Sequence, residues 1–327
     1  MKVMVVGLGS MGRRRLRLLR AYDESIELVG VDKMPERQKQ AKDEFGIETF
    51  EDIDGACSVC PDAAFVSTSP LSHSAIINEC LKKGLHVFTE INLVENGYDE
   101  NIALAKEKGL VLFLSSTPMY RKEIEYIKKA VTKSKAGISY VYHVGQYLPD
   151  WHPWENYRNF FVGDARTNGC REIMAIEFPW IFDVFGLPEH WEVQKKKTTS
   201  LEIGYPDSFQ IMISHEGGTM GLIQFDVVSR KAVRNFECMS EDLYISWDGT
   251  PYGLCEYDPD KKEDVKIELY ESVDKLSGYS ASIIEDAYLS EITEFMSVIN
   301  GETKARHTFE ADRKILSIID AIEHQNS

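Results

Sequence analysis

The stretch MKVMVVGLGSMGRRRLRLL, Met1 to Leu19, joins a short apolar run, a glycine-rich turn and a segment with apolar residues at helical spacing. Val3 to Val6 reads as a buried strand, and the residues after Met11 as a helix. Between them, Gly7-Leu8-Gly9-Ser10-Met11-Gly12 is a G-x-G-x-x-G. Gly7 permits a tight turn, Gly9 lets a pyrophosphate approach the backbone, and Gly12 lets helix and strand pack closely. The helix N-terminus then faces the phosphates. The pattern alone is weak, and a glycine-rich turn without a ligand is its plain alternative. Its context strengthens it: Asp32 ends the next strand about 20 residues on, where a ribose-binding acid is expected. Asp32 favours NAD, because a carboxylate accepts a 2′-hydroxyl and repels a 2′-phosphate. Arg13, Arg14 and Lys33 keep NADP open, unless the arginine run is only a solvated helix face.

Outward from this motif, strands and helices alternate to about Thr117. ELVGVDK, AAFVSTS, HVFTEI and LVLFLSS read as strands. PERQKQAKDEFG, SHSAIINECLKKG and GYDENIALAKEKG read as helices. Such alternation implies a parallel sheet covered on both faces. The rhythm then changes. One more helix, YRKEIEYIKKAVTKSKAG, precedes ISYVYHVGQYL, DSFQIMISHEGG, TMGLIQFDVVS, NFECMS, DLYISWDG and VKIELYES, strand-like runs joined by short turns. They suggest an open, mostly antiparallel sheet. Helical patterns recur at GCREIMAIEFPWIFDVFG and near the C-terminus. The expected fold is α/β, with a Rossmann dinucleotide-binding domain at 1–117 and a substrate-binding and oligomerisation domain at 118–327. A C-terminal helix at about 308–324 is placed to pack back on the first domain.

The bulk properties narrow the partners. The chain has 327 residues, enough for two domains, and a formal net charge of −16. That charge disfavours nucleic acid. No apolar run approaches the roughly 20 residues that cross a bilayer. Cys57-x-x-Cys60 has no second metal pair, so six free cysteines in a reducing cytosol are the expectation, with no metal site.

With the glycine motif, Asp32, the Thr68-Ser69-Pro70 loop, His73 and GLHVFTEI in order, the chain resembles the Gfo/Idh/MocA oxidoreductases. The resemblance implies an NAD(P) site contacted by Gly7, Gly9, Ser10, Met11, Gly12, Asp32, Arg37, Thr68, Ser69, His73, Glu90 and Asn92. It also implies a second domain that supplies the substrate pocket and, through its sheet, a dimer or tetramer contact. Two departures stand out. The family's catalytic lysine falls on Ile91 and the proline after it on Asn92. In the second catalytic motif Trp180 and Ile176 fall on the usual His and Asp. The family's lysine route for the proton is therefore closed here. GQYLPDWHPWENYR and the Gly-x-Arg-Glu segment resemble a branch associated with sugars and nucleotide sugars.

Hydride transfer from an alcohol needs a base for the hydroxyl proton. His143 to Arg158 is the densest polar-aromatic stretch, and such mixtures suit a carbohydrate pocket. Gln146, Tyr147, Asp150, Trp151, Trp154 and Arg158 are its candidate substrate contacts, with Arg171 from the next helix. His152 is the first candidate acid/base, because an imidazole titrates near neutral pH. Tyr157, Glu172 and Glu177 are the others. Packing of the aromatics as satellite core, and Arg171-Glu172 as a helix start, are the plain alternatives. The function expected is hydride transfer between NAD(P) and a sugar, amino sugar, nucleotide sugar or polyol, with a non-lysine acid/base. A non-catalytic dinucleotide-binding relative, or an epimerase or eliminase with tightly held NAD, is the alternative.

Overall fold

Buried apolar runs become parallel strands through the first third of the chain, in a computed structural model that describes residues 1–151, 155–273 and 284–325. The chain divides into two units, Met1–Thr117 with Tyr288–Leu316, and Pro118–Ala287 with Ser317–Ser327.

In the first unit the elements run β1 (Lys2–Val6), α1 (Ser10–Tyr22), β2 (Glu27–Val31), α2 (Pro35–Phe45), β3 (Glu48–Phe50), α3 (Ile53–Cys57), β4 (Ala63–Val66), α4 (Pro70–Lys82), β5 (His86–Thr89), α5 (Tyr98–Lys108) and β6 (Leu112–Leu114). The strands form one parallel sheet in the order β3-β2-β1-β4-β5-β6. The order reverses between β1 and β4, and the crevice outside the strands' carboxyl ends at such a point takes ligands. Central strand residues such as Val3, Val5, Phe65 and Phe88 have no exposed surface. This is why these strands read as continuous apolar runs rather than alternations. Phe65 and Phe88 stack at 4.5 Å, and Phe295 meets both rings edge-on.

The second unit begins with α6 (Lys122–Lys133), β7 (Ser139–Gly145) and α7 (Gly169–Phe185). It continues with β8 (Pro188–Lys196), β9 (Ser208–His215), β10 (Met220–Asp226), β11 (Val233–Met239), β12 (Tyr244–Trp247), β13 (Cys255–Asp258) and β14 (Glu263–Lys266). The strand order is β14-β13-β12-β11-β7-β10-β9-β8. Every neighbouring pair is antiparallel except β7–β10. Two helices follow, α8 (Glu285–Ile299) and α9 (Phe309–His324). One face of the sheet packs on α7, where Trp180 meets Tyr142 and Phe236 edge-on. The other face leaves Val141, Met212 and Leu222 exposed, with Leu222 opposite both of the others.

Two strand assignments differ from expectation. The edge strand β8 is almost wholly polar outside Trp191 and Val193, so it carries little apolar signal. VKIELYES leaves the sheet at Lys266, because Tyr270 turns inward and donates to Glu123 Oε2 at 2.8 Å.

Candidate active site

The first unit builds its ligand end from the backbone. Gly7 has φ +92, and a Cβ there would lie 2.6 Å from the Ser67 carbonyl oxygen. A Cβ on Gly12 would lie 1.8 Å from the Gly7 oxygen. Only hydrogen fits at either position. Gly9 differs, since the nearest atom to its missing Cβ is the Arg37 guanidinium at 3.7 Å. Its bareness therefore serves something other than the protein's own packing. Gly9 caps α1 without a side chain, and no acid occupies the first turn, so the helix N-terminus at Ser10 and Met11 presents its N–H groups to an anion. Asp32 is held by backbone donors, Leu8 N at 2.8 Å and Met34 N at 2.9 Å. Its carboxylate keeps acceptor capacity for a ribose hydroxyl. Arg37, half exposed, stands 3.8 Å from Asp32 Oδ2. These residues fit a dinucleotide with its adenosine half over β1 to β3. The other nucleotide then falls on the β4 to β6 half.

At the end of β5, Glu90 is held by Arg15. Its carboxylate receives Arg15 Nε at 2.7 Å and Nη2 at 3.0 Å. Arg15 also donates to Glu291 at 2.9 Å, and Glu291 accepts from Ser115 Oγ, Ser116 N and Thr117 Oγ1. The Arg15 side chain is 0% exposed and Glu90's is 13%. Burial works against the Arg15 charge, but Glu90 and Glu291 outweigh it and hold its pKa above the usual value. The arginine run is thus not a solvated face: Arg15 is a buried hub, and Arg14 lies under the Tyr288 ring at 4.7 Å. Arg13 sits 3.9 Å from Glu44.

His73 and Asn92 are both buried, and His73 Nε2 donates to the Thr68 carbonyl at 2.9 Å while Nδ1 lies 2.9 Å from the Asn92 side chain. Burial lowers the His73 pKa, and its Nδ1 faces Asn92 Oδ1. Through Nε2 the ring holds the Thr68 loop. Thr68 Oγ1 bonds Ser72 Oγ at 2.8 Å, and Ser69 remains exposed at the start of α4.

The second unit builds its ligand end from side chains, most of which answer one another. Glu177 accepts from Tyr142 at 2.6 Å and Trp180 at 2.7 Å and pairs with Arg234 at 2.8 Å. Fully buried, it ties β7, α7 and β11 together through these partners. Arg171 is buried and pairs with Asp320 at 2.7 Å and with Glu323. Its guanidinium fastens α7 to α9. Arg158 pairs with Glu202, and the Tyr157 hydroxyl accepts from Glu202 N at 3.2 Å. The Gln146 carbonyl accepts from Trp151 Nε1 at 3.0 Å, and Trp151 packs where a Cβ on Gly169 would stand. His152 and Trp154 lie outside the described residues.

Glu172 is the exception. It is half buried, with Oε2 sealed from water and without a hydrogen-bond partner among the described residues. Burial pushes its pKa up to about 8. The sequence did not single out Asp226. This buried carboxylate accepts from His143 Nε2 at 2.7 Å, Ser229 N at 2.8 Å and Val228 N at 3.0 Å. Burial alone would raise its pKa, but the His143, Ser229 and Val228 donors outweigh that and bring it to about 2. A Cβ on Gly145 would lie 2.7 Å from this carboxylate, a close approach that the Gly residue in VGQ could have signalled.

The glycine cradle, the helix N-terminus and Asp32 define a dinucleotide-binding Rossmann domain. Residues 1–116 match the model of the Gfo/Idh/MocA family, described as an oxidoreductase family with an NAD-binding Rossmann fold. The chain is 24% identical over 322 residues to the myo-inositol 2-dehydrogenase of Thermotoga maritima, covering 93% of this chain and 90% of that protein. Among solved structures it is similar to a levoglucosan dehydrogenase in complex with NADH, with a TM-score of 0.81 at 15% identity, covering 98% and 95% of the two chains. It is also similar to the UDP-N-acetylglucosamine 3-dehydrogenase of Acidithiobacillus ferrooxidans, with a TM-score of 0.75 at 17% identity, covering 99% and 96%.

Proposed function

We propose that the protein oxidises a hydroxyl of a sugar, amino sugar, nucleotide sugar or polyol, or runs the reverse reduction, with NAD as hydride carrier. The observation that carries this is the open space over Gly9 beside a backbone-held Asp32. The dehydrogenases of inositol, levoglucosan and a nucleotide sugar among its relatives support the substrate class. Bound NAD supplies the hydride acceptor. The chain's own residues cradle the pyrophosphate at Gly9 to Gly12, hold the ribose at Asp32 and take the hydroxyl proton. Ile91 cannot do the last of these, and Glu177 already accepts from Tyr142 and Trp180 and pairs with Arg234. Glu172, with a raised pKa and an unpartnered oxygen, suits a base that works near neutral pH. The exposed row of Val141, Leu222 and Met212 supports a second copy of the chain packed on the open sheet face, which light scattering on the full chain tests. Six free cysteines suit a reducing cytosol.

A screen of sugars, polyols and nucleotide sugars, read at the nicotinamide absorbance, tests the reaction. At least one compound should reduce NAD. NAD binding without reduction by any of them would favour the second reading, a dinucleotide-binding relative without turnover, which Ile91 in the lysine's place favours.

A further inference from the structure

The geometry points to Arg230 as a receptor for an anionic group, carboxylate or phosphate, on the substrate. The inference rests on the sugar-oxidoreductase reading and narrows its substrate class. Arg230 lies in the turn between β10 and β11, and this turn is fixed at several points. Buried Asp226 accepts the N–H groups of Val228 and Ser229, while Tyr147 N donates to the Ser229 carbonyl at 2.7 Å and Leu148 N to the Val227 carbonyl at 3.0 Å. The turn is therefore strapped to the 146–148 segment that leads into the polar-aromatic stretch. Arg230 stacks on the Tyr147 ring, 4.1 Å from its centroid. One face of the guanidinium is thus already desolvated and its plane is set.

The N–H edge of that plane is left open. The Arg230 side chain is 73% exposed, and its carboxylate neighbour, Asp150, is 4.0 Å away and itself exposed. Six other arginines of this acidic chain contrast with it. Arg15, Arg121, Arg166, Arg171, Arg234 and Arg313 each have a carboxylate within 3 Å. Lys231, next in sequence, is exposed and has no ion pair among the described residues. A stacked, pre-oriented guanidinium with a free fork is the arrangement that grips a carboxylate or phosphate with two parallel bonds. A neutral polyol offers that fork nothing comparable.

The test is calorimetric titration of the NAD-saturated full chain with UDP, glucuronate, glucose 6-phosphate and glucose. At least one of the three anions should bind about 10-fold or more tightly than glucose, and which one does separates nucleotide, carboxylate and sugar-phosphate sources. Arg230→Gln should remove that advantage, and Arg230→Lys should restore only part of it, because an ammonium cannot make the fork. NAD affinity of each variant serves as the check on folding. No preference for any anion over glucose, or an Arg230→Gln variant that binds them as the wild type does, overturns the assignment. If anions bind through Arg230 but no sugar reduces NAD, this site stands and the oxidoreductase reading falls. If only neutral sugars reduce NAD and no anion binds, the reverse holds.

Discussion

The first unit presents backbone at its ligand end, and the second presents side chains. Three glycines and a helix start form the cofactor cradle, where Asp32 is aimed by two main-chain N–H groups. In the second unit, Arg171 and Glu177 look like site chemistry in the sequence, yet each is taken up by neighbours, as is the buried Asp226. A backbone site depends on what is missing, a Cβ, and the protein itself cannot fill that gap. A side-chain site competes with the protein's own need to pair buried charges.

That contrast can be broken at several points. The largest effect is expected at Arg15. Arg15→Met leaves Glu90 and Glu291 facing one another without the guanidinium and should cost about 3–5 kcal/mol in denaturant unfolding. Arg15→Met with Glu291→Leu should recover part of it. A single variant as stable as the wild type would mean that the hub is not holding the strand ends. At Gly9 a Cβ would come no closer than 3.7 Å to any residue beyond its chain neighbours, the nearest atom being on the half-exposed Arg37 side chain. Gly9→Val should therefore fold normally while losing about 100-fold in NAD affinity, roughly 2.7 kcal/mol. Equal affinity in variant and wild type would remove the cradle.

Asp226 probes the second unit. Its folded pKa of about 2 lies below the unfolded carboxylate value near 3.8. Its contribution, about 2 kcal/mol, is present above pH 4 and lost as pH falls towards 2. Asp226→Asn should lower stability at pH 6 by that order and flatten the acid limb of a melting-temperature profile. An unchanged acid limb would contradict the depressed pKa. The smallest effect is at Asp32. Asp32→Ser should weaken NADH binding by about 10-fold while NADPH binding improves, since a 2′-phosphate then meets Arg37 without the carboxylate. Tighter NADPH than NADH binding in the wild type would reverse the preference.

The sequence made the first unit legible because its signals are local. The G-x-G-x-x-G spacing, the strand before it and Asp32 after it form a single chain segment. The buried parallel strands show as unbroken apolar runs. The second unit's sheet was legible as alternation, but β8 was not, because an edge strand needs little apolar surface. The roles of Glu90, His73, Arg171 and Glu177 were not legible, because each is set by a partner distant in sequence. Arg15 meets Glu90 from 75 residues away and Glu291 from 276. Nothing in RRRLR marks Arg15 as the arginine that carries the hub. Arg230 escaped notice for the same reason, since its ring partner, Tyr147, lies 83 residues earlier in the chain.

The proposed route for the hydroxyl proton runs through Glu172 instead of the Ile91 position. The pH dependence of kcat on the best compound from the sugar panel, compared between wild type and Glu172→Gln, tests it most directly. A base must be ionised to accept the proton, so wild-type oxidation should rise with pH through about 8 and level above it. Glu172→Gln should retain NAD affinity, lose about 100-fold or more in kcat, and lose that rising limb. A variant that turns over within twofold of wild type on the same pH profile would show that the proton leaves by another group.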